Sequence, residues 1–181
     1  EGLPHNYILT LFEDQQHYMW IGTRGGVSRF DGSEFVNFSE QDGLVSNHIK
    51  HIEQLDNGNM VFATNEGLSV YDGNAFKNYS PDNRLPKGDF THLYKDSEGN
   101  IWCGMNGGLV RVSEDSVKVF TESQGFPGEI VWDITGDSKG TIWIATQGGG
   151  IYQYNEGNFT HYTTEDGLPG NLVLSLHIDQ K

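Results

Sequence analysis

Five polar residues, Thr10, His51, His92, Asp133 and Ser175, recur at intervals of 41, 41, 41 and 42 residues. Two imidazoles and a carboxylate in one column are groups that bind zinc or iron. The simpler reading of the same column is the wall of a wet central channel. No H-x-x-x-H pair is present and Cys103 is the one cysteine, so no local ligand cluster argues for a metal, and no cofactor is expected. A second column, Arg24, Asn65, Asn106 and Gln147, offers a guanidinium and planar amides, which suit sugar hydroxyls or carboxylates. Trp132 has no aromatic counterpart at Leu9, Lys50, Thr91 or Leu174. It is either a stacking platform for a sugar ring or a local packing residue. The acidic residues fall mostly at repeat-equivalent turns, where turn chemistry accounts for them, and no nucleophile with a base can be proposed, so no catalytic residue is assigned.

The elements that carry these columns are read from the repeat itself. Leu3, Leu44, Leu85, Phe126 and Leu168 align at the same spacing, the extra residue of the last interval falling in the triple glycine 148–150. The copies span approximately 3–43, 44–84, 85–125 and 126–167, and residues 168–181 hold the first segment of a fifth. Each copy divides into four short strands. The first covers 7–14, 48–55, 89–96 and 130–137, with 172–179 as its match in the fifth copy. Its two apolar columns lie three residues apart (Ile8 and Leu11, Ile49 and Ile52), which predicts a twisted or bulged strand rather than a flat one. The second strand is apolar on both faces, as a strand sandwiched between layers must be: Trp20, Val61, Trp102 and Trp143, then Ile21, Phe62, Cys103 and Ile144. Gly22, Ala63, Gly104 and Ala145 follow, where a neighbouring sheet needs room. The third and fourth strands alternate and are joined by Asp-Gly at 31–32 and 72–73, Glu-Asp at 114–115 and Glu-Gly at 156–157; Asp-Gly predicts a type I′ turn.

Four antiparallel strands per 41 or 42 residues predict an all-β fold of β-propeller blades, four blades plus one extra strand. A single such sheet has two apolar faces and cannot bury either alone; stacking covers them. Cys103 then reads as a small core residue. The turns after the second strands (23–26, 64–67, 105–108, 146–150) share one end with the connections between copies (42–47, 84–89, 125–129, 166–171), so the variable residues Arg24, Asn65, Asn106 and Gln147 are expected on a loop-crowded face.

The chain has 181 residues and a net charge of −14, spread over turns with no basic cluster, which argues against a nucleic-acid partner. No apolar run approaches the roughly 18 residues of a membrane span, so no membrane contact is expected within the fragment. It reads as a piece of something longer. The sequons at 37–39, 78–80 and 158–160 read as by-products of the fourth-strand pattern.

The run "GLPGN", a strand, "D-S-x-G-x-I-W-I-x-T-x-G-G-G", "Y-x-Y" and then "F-x-x-Y-x-x-x-D-G-L" resembles the two-component regulator propeller repeat. All four copies carry it; copy two departs most, with Val61 in place of tryptophan and "GLV" in place of "GLP". The resemblance implies the extracytoplasmic, periplasmic sensor region of a membrane histidine kinase, often a hybrid kinase, built from many such repeats and detecting carbohydrates or other small nutrients. A small-molecule ligand, such as an oligosaccharide, is the expected partner. A homodimer completing a larger ring is a further expectation, because an open stack leaves apolar blade faces uncovered. A metal-dependent lyase and a pure protein-interaction scaffold are the alternatives.

Overall fold

The computed structural model describes residues 2–79, 85–86, 88–113 and 116–179. It contains four four-stranded antiparallel sheets, each a blade in simple sequential order. The strands are β1 (Ile8–Glu13), β2 (Met19–Thr23), β3 (Gly26–Phe30) and β4 (Phe35–Phe38); β5 (Ile49–Gln54), β6 (Met60–Thr64), β7 (Leu68–Tyr71) and β8 (Phe76–Tyr79); β9 (Phe90–Lys95), β10 (Ile101–Met105), β11 (Gly108–Val112) and β12 (Val117–Phe120); β13 (Val131–Gly136), β14 (Ile142–Thr146), β15 (Ile151–Asn155) and β16 (Asn158–Tyr162). They form two compact units, residues 1–90 and 91–181.

The three-residue spacing on the inner strands has the expected cause. The ladder register shifts between Ile8 and Thr10, between Ile49 and His51, and between Val131 and Asp133. The extra residue in each bulge is Leu9, Lys50 or Trp132, and it is what brings both apolar columns onto one face.

Within the first unit, Ile49 and Ile52 of β5 are buried in one core with Trp20, Val27, Phe62 and Tyr71. A methyl group at Gly22 would stand 2.8 Å from Ile49 Cγ2, so the glycine is the floor on which the next inner strand rests. The second unit repeats the arrangement: a methyl at Gly104 would meet Val131 Cβ at 2.8 Å, and Val131 and Ile134 join Trp102, Leu109, Phe120 and Phe126 in its core. Cys103 is wholly buried, and burial pushes its thiol well above the ordinary range, so the thiolate that could react does not form.

One recurrent interaction was legible in the sequence and went unread. Trp20 Nε1 donates to Asp14 Oδ2 at 2.7 Å, and Trp102 Nε1 donates to Asp96 Oδ2 at 2.8 Å. Copy four keeps the same two residue types, Asp137 and Trp143, and the indole is among the groups that lower the Asp137 proton affinity. The other oxygen of each carboxylate takes two backbone amides of the β-turn, Gln16 and Tyr18 at Asp14, Glu98 and Asn100 at Asp96. The aspartate therefore closes its hairpin and satisfies a buried indole. Copy two has lost both partners together, with Leu55 and Val61 at the two positions, as expected if either alone would leave a buried polar group unpaired.

The outer hairpins depart from expectation. Glu156 (φ 47) and Gly157 (φ 90) form the two-residue type I′ turn. At 31–34 and 72–75 only the glycines have positive φ, and the loops have four residues. There the aspartate takes the amides of the residues two and three ahead, Ser33 and Glu34 for Asp31, Asn74 and Ala75 for Asp72. An aspartate bonding its own following amides builds this wider loop, which competes with the type I′ geometry. The turn at 114–115, Ser80 of one sequon, and Arg84 and Lys87 of the loop at 84–89 lie outside the described residues.

Residues 172–179, read as the first strand of a fifth repeat, make an isolated bridge between Leu172 and Gln147 rather than a ladder. In each complete copy this segment pairs with the second strand of its own copy, which residues 168–181 do not contain. Single 3-10 turns at Glu40–Asp42, Glu122–Gln124 and Thr164–Asp166 also went unread. Their signal is Ser or Thr, then Asp or Gln three residues on, then glycine: Ser39, Asp42 and Gly43, for example, form a capping box closed by a left-handed glycine at φ 111.

The buried Trp–Asp pairs make a quantitative expectation. Asp96→Leu alone should destabilise the protein by about 1–3 kcal/mol through the orphaned indole. In the Asp96→Leu, Trp102→Val double variant, chemical denaturation should show coupling of roughly 1 kcal/mol or more in the sense of relief; additive losses would mean the two side chains are independent.

Candidate functional site

In each unit the antiparallel order puts the turn between a blade's second and third strands at the same end as the connection to the next blade. The turns are held by a threonine. Thr23 Oγ1 donates to Gly26 O at 2.9 Å, Thr64 Oγ1 to Gly67 O at 2.9 Å, and Thr146 Oγ1 to Gly150 O at 3.0 Å. All three threonines are buried. The residue after each lock points out: Arg24, Asn65 and Gln147 are exposed, as is Asn106, which follows Met105 in the copy without a threonine. A fixed frame thus carries one variable, solvent-facing residue per blade.

In the first unit these residues have close company. The Arg24 guanidinium lies 4.0 Å from the centroid of Tyr7, a stacked cation–π pair. Asn65 Oδ1 accepts from Ser46 Oγ at 2.7 Å. Lys50, the residue extruded by the bulge, places Nζ 2.5 Å from Asp89. His48 lies in the same field: burial, then the positive charges of Lys50 and Arg24, lower its proton affinity, and Asp89 opposes them. Tyr7, Ser46, His48, Lys50 and Asp89 were not singled out from sequence. Tyr7, His48 and Asp89 stand 41 residues apart in one column, but its residue types differ in every copy, Ile130 and Leu172 following, so the repeat gave no chemical signal for it.

In the second unit Gln147 donates its backbone amide to Ile130 O at 2.9 Å, and Gly148 and Gly150 donate to Asn171 O, which leaves the Gln147 side chain outside the hydrogen-bonded turn. Trp132 is the extruded bulge residue of β13 and is 41% exposed. That exposure is more than a buried packing residue shows.

The inner polar column is tighter than the sequence suggested. Thr10 and His51 lie half-buried on β1 and β5. In the second unit, His92 Nε2 is 3.2 Å from Asp133 Oδ1, with side chains 17% and 14% exposed. Asp133 Oδ2 accepts from Ser175 Oγ at 2.9 Å and from the Leu176 amide at 2.7 Å. Within the second unit the inner edges converge, and three consecutive members of the column form one hydrogen-bonded chain. The aspartate sits between the histidine and the serine, so this is not the order in which a histidine activates a serine. Among the described residues no group of three or more His, Cys, Asp or Glu side chains could hold a metal ion.

Burial lowers the His92 pKa to about 4, the hydrogen bond with the Ile134 backbone opposing it. An unfolded chain takes up this proton near pH 6.5 and the folded chain does not. Stability should therefore fall as the pH drops from about 6.5 to about 4, by roughly 1–3 kcal/mol from this group. Urea denaturation across that range should show the slope, and His92→Gln should flatten it; an unchanged slope would exclude His92 as its source.

A family model described as "Two component regulator propeller" matches residues 2–25, 84–107 and 125–148. These stretches fall in copies one, three and four, the copies that keep the Trp–Asp pair. No curated protein matches the chain. Among solved structures, the extracellular domain assigned to the hybrid two-component system BT3049 from B. thetaiotaomicron is similar with a TM-score of 0.83 at 22% identity, covering 93% of this chain and 24% of that one. The extracellular domain assigned to the hybrid two-component system BT4673 from the same organism gives 0.80 at 18% identity, over 99% of this chain and 26% of that one. A catalytically inactive variant of virginiamycin B lyase from Staphylococcus aureus, solved with quinupristin, gives 0.73 at 14% identity, over 89% and 57%. The chain spans about a quarter of the length of the two-component extracellular domains it matches.

Proposed function

Because the chain carries two-component regulator propeller repeats, we propose that it is part of the extracytoplasmic, periplasmic sensor region of a membrane histidine kinase. In this reading it captures a small molecule of the carbohydrate class at the loop end of its blades and carries out no chemistry itself. The observation that carries the reading is the separation of frame from variable position. Thr23, Thr64 and Thr146 fix the turns from inside, while the Arg24 guanidinium and the carboxamides of Asn65, Asn106 and Gln147 stand exposed at equivalent places. Planar hydrogen-bonding groups repeated at one end of the blades suit recognition of hydroxyls and carboxylates. The Arg24–Tyr7 stack and exposed Trp132 add flat apolar surface beside polar groups, the mixture a sugar ring requires. To signal, the ligand must favour one of two states of the larger protein by its differential affinity.

A screen of oligosaccharides by thermal shift and titration calorimetry tests this. A binding sugar is expected, with affinity reduced roughly tenfold or more in Arg24→Ala or Trp132→Ala while the unliganded melting temperature stays within a few degrees, since both side chains are exposed. Binding that survives both substitutions would place the ligand elsewhere. The lyase reading finds its local support in the His92–Asp133 contact; stoichiometric divalent metal in the purified protein, lost in His92→Ala, would favour it over the sensor.

A further inference from the structure

At the end opposite the loops, each unit holds a groove at the seam between its two blades, built from repeat-equivalent residues. The groove of the first unit, with a volume of about 270 Å³, is lined by Asp14, Trp20, Arg29, Gly58 and Tyr71 among others. That of the second, about 370 Å³, is lined by Asp96, Trp102, Arg111, Gly140 and Tyr154. The sequence explains why they match. The third strands carry Arg29, Val70, Arg111 and Gln153 in one column and Phe30, Tyr71, Val112 and Tyr154 in the next. Arginine stands only in copies one and three, and tyrosine only in copies two and four. One groove therefore needs two blades, the first giving the arginine and the Trp–Asp pair, the second giving the tyrosine and a glycine turn. The 41-residue repeat hides a longer one of two copies.

The arginines are the unexplained part. Arg29 is half-buried, its guanidinium 4.8 Å from the centroid of Tyr18 and 5.9 Å from that of Trp20; Arg111 lies 5.7 Å from Trp102. In a chain with 25 acidic and 11 basic residues, neither has an ion pair among the described residues. Of the carboxylates lining the grooves, Glu98 and Glu156 stand in the second beside Lys139, Glu98 accepting from Asn100 Nδ2 at 3.3 Å, and the aspartates are committed elsewhere. Asp14 and Asp96 each accept two backbone amides and an indole N–H, and Asp72 accepts two amides of its own loop. Each guanidinium is thus held on an aromatic surface at the mouth of a groove with its planar fork unmatched. Such a fork recognises a carboxylate through two parallel hydrogen bonds.

We propose that these two grooves are equivalent binding sites for the carboxylate of a small ligand, one site per pair of blades, distinct from the loop-end site proposed above. The grooves lie near the lower limit of ligand-sized cavities, so the ligand is compact. Titration calorimetry of the whole chain with succinate, and with its neutral analogue succinamide, tests this. Succinate should bind at two sites per chain, and succinamide should not bind. Arg29→Gln or Arg111→Gln should each leave one site, and the double variant none. Arg29→Lys with Arg111→Lys keeps charge and stem but loses the fork, and should weaken binding roughly tenfold. Replacing succinate by an N- and C-capped glutamate separates the sources: tighter binding identifies a carboxylate carried on a polypeptide, weaker binding a free acid. No heat with succinate up to about 10 mM, equal binding of succinamide, or unchanged binding in the folded double-lysine variant would overturn the proposal. Because Arg24 and Trp132 lie outside both grooves, Arg24→Ala and Trp132→Ala should leave succinate binding intact, so failure here and failure at the loop end are read separately.

Discussion

The contact on which the rest depends is the seating of an inner strand on the small residue of the preceding sheet. Ile49 rests over Gly22 and Val131 over Gly104, with no space for a methyl group between them. A blade has apolar side chains on both faces and gains most of its stability from this lateral burial rather than from its own ladder. The close approach needs glycine or alanine on the second strand, and it needs both apolar columns of the inner strand on one face. The bulge supplies the second condition. It also extrudes a residue, Leu9 or Lys50 in the first unit and Trp132 in the second. Structure and candidate function thus have a common origin: the irregularity that lets blades pack is what places the side chains of Lys50 and Trp132 near the loop end.

The same economy governs the turns. A buried threonine hydroxyl satisfies the carbonyl across a tight turn, and the following side chain is released to solvent. Where the lock is absent, Met105 takes the position and its side chain is buried, so the turn there is held by apolar contact. Repeat proteins of this kind can vary one residue per module at little cost to stability, because substitutions at exposed sites away from packing seldom change stability much.

The four blades and their strand limits were legible to within a residue or so, because a recurring pattern averages out the ambiguity of any one short strand. The bulge was legible from Ile8, Leu11 and their equivalents, since a spacing of three has no other explanation in a segment too short for a stable helix. The 3-10 turns were hidden by length, three residues each, although Ser39, Asp42 and Gly43 spelled out the cap. The type I′ expectation at Asp31 and Asp72 failed because an aspartate side chain can bond two amides ahead of it, a choice the dipeptide Asp-Gly does not reveal. The His92–Asp133–Ser175 chain was missed for a geometric reason. A column shows which residues line the same channel, but not which neighbours in it come within hydrogen-bond distance.

Candidate site residues were legible where a column kept one kind of chemistry, as Arg24, Asn65, Asn106 and Gln147 do, or broke its pattern, as Trp132 does. Tyr7, His48 and Asp89 also share a column, but with no chemistry in common, and periodicity alone does not mark them. A period of one blade also conceals anything built from two. The alternation of Arg29 and Arg111 with Val70 and Gln153 looks like noise in a four-line alignment and becomes a pattern only when adjacent sheets are known to share a seam. A blade is the unit of folding here, but within each unit the facing sides of its two blades complete each other. Any groove at a seam is therefore encoded by two copies at once, and a column with alternating residues at a seam should be read as half of a site rather than as drift.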